Sequence, residues 1–123
     1  MSFFSKLFEK QEDEFSDFNW IPLLEMNQLN EIVINSDKKT QAIFKHSTRC
    51  AVSRGVIKEF EKLNENTENI DFYFLDLIAF RNISNAIAQN FSVAHQSPQL
   101  IVIKNKKVIA NASHYAIIDL KFK

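Results

Sequence analysis

The chain has 123 residues, 46% of them hydrophobic, which suffices for one core and leaves no room for a second domain of ordinary size. Fifteen basic residues balance fifteen acidic ones, so the extended positive field that nucleic acids and anionic lipid surfaces require is excluded. A single cysteine rules out an internal disulfide framework, and no stretch reads as a signal-peptide core or a membrane span, so a reducing cytoplasm without stable membrane insertion is the expected setting.

In chain order, Phe3, Phe4, Leu7 and Phe8 are spaced for a short amphipathic helix, and the acidic run Glu12–Glu14 follows. Residues 1–19 therefore read as an extension, and residues 20–123 as the domain. Trp20, Ile21 and Leu23 around Pro22 suit an extended edge segment. From Glu25 to Asn35, Met26, Leu29, Ile32 and Val33 predict a helix, and Ser36 to Lys39 a polar turn. Ala42 to Lys45 predict a short strand, after which Ser47 and Thr48 offer hydroxyls to cap a helix beginning near Cys50. Val52, Val56, Phe60 and Leu63 give that helix one apolar face.

Ile70 to Leu77 is a dense β-branched and aromatic run that predicts a central strand buried on both faces. Ile83, Ile87 and Phe91 mark a helix over Arg81–Phe91, with Asn82 or Ser84 available as its cap. Pro98 stands at the start of the strand Leu100–Ile103, a placement suited to a cis bond or a strand end. Asn105 to Lys107 predict a hairpin turn into Val108–Ala110, and Tyr115 to Leu120 a closing helix. Most of the twelve phenylalanines, including Phe60, Phe72, Phe74 and Phe91, fall at core positions. Helical patterns between strands, followed by a hairpin, imply an α/β fold: a thioredoxin-like mixed central sheet with helices on both faces and a C-terminal β-hairpin.

The chemistry centres on Cys50. At a helix N-terminus, unpaired backbone N–H groups and the positive end of the dipole stabilise a thiolate, and Arg49 and His46 offer further positive charge. An unperturbed thiol, with a pKa of about 8.5, is only a few per cent ionised at neutral pH, so a lowered value would convert Cys50 largely to nucleophile. The plain alternative is a small buried hydrophobe. Ser53 stands three residues after Cys50, where dithiol motifs carry a second cysteine, so the chemistry is that of one thiol.

Lys45-His46-Ser47-Thr48-Arg49-Cys50, Arg81 with Ser84 to Ala88, His95 to Gln99, and Ser113-His114 together resemble the monothiol bacilliredoxins of the general stress protein YtxJ type. The likeness covers most of the chain. It departs from the family pattern after the cysteine, where Ala51 replaces a proline and adds a backbone donor near the sulfur. The resemblance implies a thiol-disulfide oxidoreductase that removes bacillithiol, or a similar low-molecular-weight thiol, from protein mixed disulfides. Its partners would be S-bacillithiolated client proteins, with bacillithiol as co-substrate and no resident cofactor. Cys50 would attack, with Ser53 and Thr48 beside it in the catalytic set. Arg49, Arg81, His95, Ser97 and Pro98 would contact substrate, and a cis Pro98 would present the Ser97 backbone to an incoming chain.

Each of these residues also has a duller role. Arg81 could pair with Asp76, and Pro98 could merely start a strand. His46, His95 and His114 lack the tight spacing of a metal site. Two rival functions differ more widely. His46-x3-Cys50-x3-Arg54 is similar to the cysteine loop of thioredoxin-like arsenate reductases, in which an arginine steadies an oxyanion, although this chain supplies only Arg49, Arg54 and Arg81. Alternatively the domain is a non-catalytic thioredoxin-like interaction module whose cysteine is incidental.

Overall fold

The computed structural model describes residues 17–123, arranged as a five-stranded sheet with helices on both faces. The strands are β1 (Ile21–Pro22), β2 (Thr40–His46), β3 (Ile70–Asp76), β4 (Gln99–Lys104) and β5 (Lys107–Ser113). The helices are α1 (Gln28–Asn35), α2 (Ala51–Asn64), α3 (Arg81–Asn90) and a short α4 (Ala116–Asp119). The sheet order is β1-β3-β2-β4-β5, with β1, β3 and β2 parallel and β4 and β5 antiparallel. Because β2 lies between β3 and β4, neither of its edges nor either of its faces meets solvent, which is why all but the first of its residues are buried.

Two apolar layers sandwich the sheet. Ala42 and Phe44 of β2 face Val56, Ile57 and Phe60 of α2 on one side, and Ile43 faces Ile32, Ile83 and Ile87 of α1 and α3 on the other. The α2 layer is aromatic at its centre. Trp20 stacks on Phe60 at 6.0 Å and meets Phe44 and Phe74 edge-on at 5.7 Å, while its indole N–H donates to Glu61 Oε2 at 2.7 Å. Phe60, Phe72 and Phe74 are core residues as expected, whereas Phe91 is only partly buried.

Three boundaries differ from their sequence readings for visible reasons. Helix α1 begins at Gln28 rather than Glu25, because the Gln28 side chain closes the preceding turn: Oε1 accepts the Leu24 and Glu25 N–H groups and Nε2 donates to Pro22 O. Strand β2 extends to Thr40 and His46, since β3 and β4 hold it along its length. In the hairpin, Asn105 and Lys106 both take positive φ, 51° and 66°, as a two-residue type I′ turn demands, so Lys107 already belongs to β5. Ser36 braces that turn, its carbonyl accepting Asn105 N–H and its hydroxyl accepting Lys106 N–H.

The segment around Phe3–Phe8 and the acidic run Glu12–Glu14 lie outside the described residues, and Phe18 packs against the α2 layer. Among the described residues no helix is long and apolar enough to cross a membrane.

Candidate functional site

Parallel strands β2 and β3 end side by side, with His46 opposite Asp76, and β4 starts at the same end, with Gln99 opposite Lys45. Residues 47–50 leaving β2, residues 77–80 leaving β3 and the Ser97-Pro98 step entering β4 are therefore gathered at one sheet end. The Ser97–Pro98 peptide is cis. Two backbone bonds knit the loops together: Leu77 N–H donates to His46 O at 3.0 Å, and His114 N–H to Pro98 O at 3.0 Å. Pro98 is buried and Ser97 half-buried, with the Ser97 hydroxyl buried and lacking a hydrogen-bond partner.

Cys50 is the N-cap of α2, in extended backbone at φ −108°, ψ 118°. It is half-buried, and its carbonyl already accepts the first helical bond, from Arg54 N–H at 3.1 Å. No side chain caps this helix. The hydroxyls of Ser47 and Thr48 do not take the capping role assigned to them from sequence, because the chain turns between them and the helix, with Cys50 N–H donating to Ser47 O at 3.2 Å. The first-turn N–H groups thus remain available to an anion at the N-cap.

Behind the cysteine, Ser53 is fully buried. Its hydroxyl accepts Ser47 N–H at 3.1 Å and lies 2.8 Å from His46 Nδ1. Arg54 clamps the same loop, its Nη1 donating to Thr48 O at 3.0 Å. Burial, reinforced by the Arg54 charge, pushes His46 down to about 4. His46 is therefore neutral at pH 7 and adds no positive charge to the thiol, contrary to the reading from sequence; Arg49, exposed beside Cys50, and Arg54 are the local cations. Replacing Ser53 with alanine leaves Ser47 N–H without its acceptor in a buried site, and urea denaturation is expected to show a loss of about 2 kcal/mol. An unchanged midpoint would mean that the loop does not lean on this hydroxyl.

On the opposite face of β2, Lys45 is fully buried. Its ammonium donates to Ser84 O at 3.0 Å and lies 3.2 Å from His95 Nδ1, with Ser84 Oγ 3.4 Å from the same nitrogen. Burial lowers Lys45 to about 8, and His95 is lowered by burial and by the charges of Lys45 and Arg81. Arg81 is exposed at the start of α3. Gln99 ties down the approach to the cis step, accepting Gln96 N–H and donating to Ala94 O. In the sequence Lys45 ends a predicted strand and opens the stretch that carries the family resemblance, with no role of its own; the signal available is a lysine closing an otherwise apolar run in a central strand. Among the described residues no cluster of His, Cys, Asp and Glu could hold a metal ion.

A family model described as monothiol bacilliredoxin BrxC matches residues 21–121. Among solved structures, one described as having a thioredoxin fold is 27% identical, covering 80% of this chain and 87% of its own, with a TM-score of 0.71. Thioredoxin from Malassezia sympodialis is 18% identical over 84% of this chain and 90% of its own, with a TM-score of 0.65. Schistosoma mansoni thioredoxin is likewise 18% identical, covering 81% and 87%, with a TM-score of 0.64. The chain shares their thioredoxin fold.

Proposed function

This chain belongs to the monothiol bacilliredoxin family and is a thiol-disulfide oxidoreductase of thioredoxin-like fold, and we propose that Cys50 is its attacking thiol and that its substrate is a protein cysteine capped by bacillithiol or a similar low-molecular-weight thiol. The observation that carries this reading is a lone cysteine at the N-cap of α2, with Ser53 buried where a resolving cysteine would stand.

In the proposed reaction the Cys50 thiolate attacks the sulfur of the cap. The disulfide between cap and client breaks, a new one forms between the cap and Cys50, and the client sulfur leaves as a thiolate that takes a proton from water. No electrons are gained or lost overall in this step. A second low-molecular-weight thiolate then attacks the cap sulfur on Cys50, releasing a small symmetrical disulfide and the free enzyme thiol, and an external reductant returns that disulfide to thiols.

The other residues have supporting parts. Arg49 and Arg81, both exposed, offer bidentate donors to carboxylates of the cap. His95 meets the same group from the loop before β4, and Ser97 offers its backbone to the client chain as an added strand. Ser53 and Thr48 hold the cysteine loop through Ser47 N–H and the Arg54 clamp. Clients would be cytoplasmic proteins capped during oxidative stress.

Intact-protein mass spectrometry tests this directly. After mixing the reduced protein with a bacillithiol-capped client, the cap mass should appear on Cys50 and disappear from the client. If the client keeps its cap while Cys50 alkylates readily with iodoacetamide, the thiol serves another substrate.

A further inference from the structure

Lys45 has no part in the exchange chemistry, yet it keeps a cation in a layer where its cross-strand neighbours are Leu75 and Gln99 and it is wholly shielded from water. Burying an ammonium is costly unless its protons are taken, and here the acceptors are a carbonyl and an imidazole rather than a carboxylate. An apolar side chain of the same length would pack at lower cost. The arrangement of the imidazole supplies a reason for the charge.

An ammonium has three donors and no acceptor, so the nitrogen facing it at 3.2 Å must offer a lone pair. The Ser84 hydroxyl approaches the same nitrogen and can only reinforce this polarity by donating. We infer that Lys45 is a positioning residue for His95: seated on Ser84 O, its ammonium occupies the Nδ1 side of the ring and holds His95 as a single neutral tautomer with the proton on Nε2, at the mouth of the site.

The inference rests on the reading above for its functional consequence, namely that His95 meets the cap, while the tautomer itself does not depend on any substrate. His95 is exposed and lies two residues before Ser97, so an engaged Nδ1 leaves the Nε2–H for whatever occupies the site. The charged groups that act on His95 are Lys45 from β2 and Arg81 from the start of α3, and both oppose its protonation. Lys45 stays charged up to about pH 8, so the ring is held through the neutral range. An unassisted histidine, with a pKa of about 6.5, would instead switch its charge there.

The test is a long-range ¹H–¹⁵N titration of the full-length protein from about pH 5 to about pH 8, for the wild type and for Lys45→Met. In the wild type the His95 signals should show a bare Nδ1 and a protonated Nε2, and should titrate below free imidazole. In Lys45→Met the titration should move upward and the tautomers should mix. Cap-transfer kinetics supply the functional readout: the ratio of variant to wild-type KM should change with pH through about 6.5. A wild-type His95 that titrates like free imidazole, or a variant that leaves its signals in place, overturns the inference without any activity assay. A KM ratio that stays constant with pH overturns the positioning role. Absence of cap transfer in the wild type overturns the substrate assignment and leaves the tautomer result standing.

Discussion

Cys50→Ser is expected to abolish cap transfer, lowering the rate by about 10³-fold or more, while the melting temperature stays within a degree or two of the wild type. A serine hydroxyl is scarcely ionised at neutral pH and does not attack disulfide sulfur, so the first bond of the exchange cannot form. The fold has no reason to suffer. Cys50 is half-buried at an N-cap, makes no side-chain capping bond, and would be replaced by one of the residues that favour that position. Stopped-flow or mass-resolved transfer assays measure the first effect and calorimetry the second. Unchanged turnover in a folded Cys50→Ser protein would remove the thiol from the mechanism, whereas its loss with the fold kept rules out the non-catalytic module. The arsenate-type reading has less geometric support, because the Arg54 guanidinium it needs for an oxyanion is engaged on the Thr48 carbonyl.

The elements legible in the sequence were those whose own pattern decides their structure. The apolar face of α2, the unbroken run of β3 and the hairpin after β4 each carry a local signal, and each lies within a few residues of its expected place. What the pattern did not disclose are polar groups buried by partners far along the chain. Gln41, which precedes the predicted strand, is fully buried, its amide donating to Asp71 on the neighbouring β3 at 2.8 Å. His46 reads equally well as pointing to solvent, yet its ring lies 5.4 Å from that of Phe74 and bonds to a serine in the first turn of α2. Lys45 is enclosed because α3 and the loop before β4 close over it. In all three cases the deciding fact is that β2 is central, and that follows from strand order rather than from any window of residues.

The buried His46 makes the site's foundation sensitive to acid. Its pKa falls from 6.5 to about 4 in the folded chain, so between those limits the unfolded chain binds a proton that the folded one refuses. Stability contributed by this group is complete above about pH 6.5 and is lost as the pH falls toward 4. Each tenfold change in proton affinity is worth about 1.4 kcal/mol, so the loss reaches about 3 kcal/mol, a large part of the roughly 5–15 kcal/mol that holds a domain of this size. His95, lowered by the same kind of burial and by two neighbouring cations, adds in the same direction. Urea denaturation at several pH values down to about 4.5 should show a falling midpoint with constant m. Carboxylates also titrate near the lower limit, so the informative comparison is with His46→Phe, which keeps a ring beside Phe44 and Phe74 but cannot take up the proton. That variant should be less stable at pH 7, because the Ser53 hydroxyl loses the His46 ring nitrogen and keeps only Ser47 N–H, and yet lose less between about pH 6.5 and about pH 4.5 than the wild type does. Equal acid slopes in the two proteins would mean that His46 is not the proton acceptor, and that the loop carrying Cys50 weakens in acid for another reason.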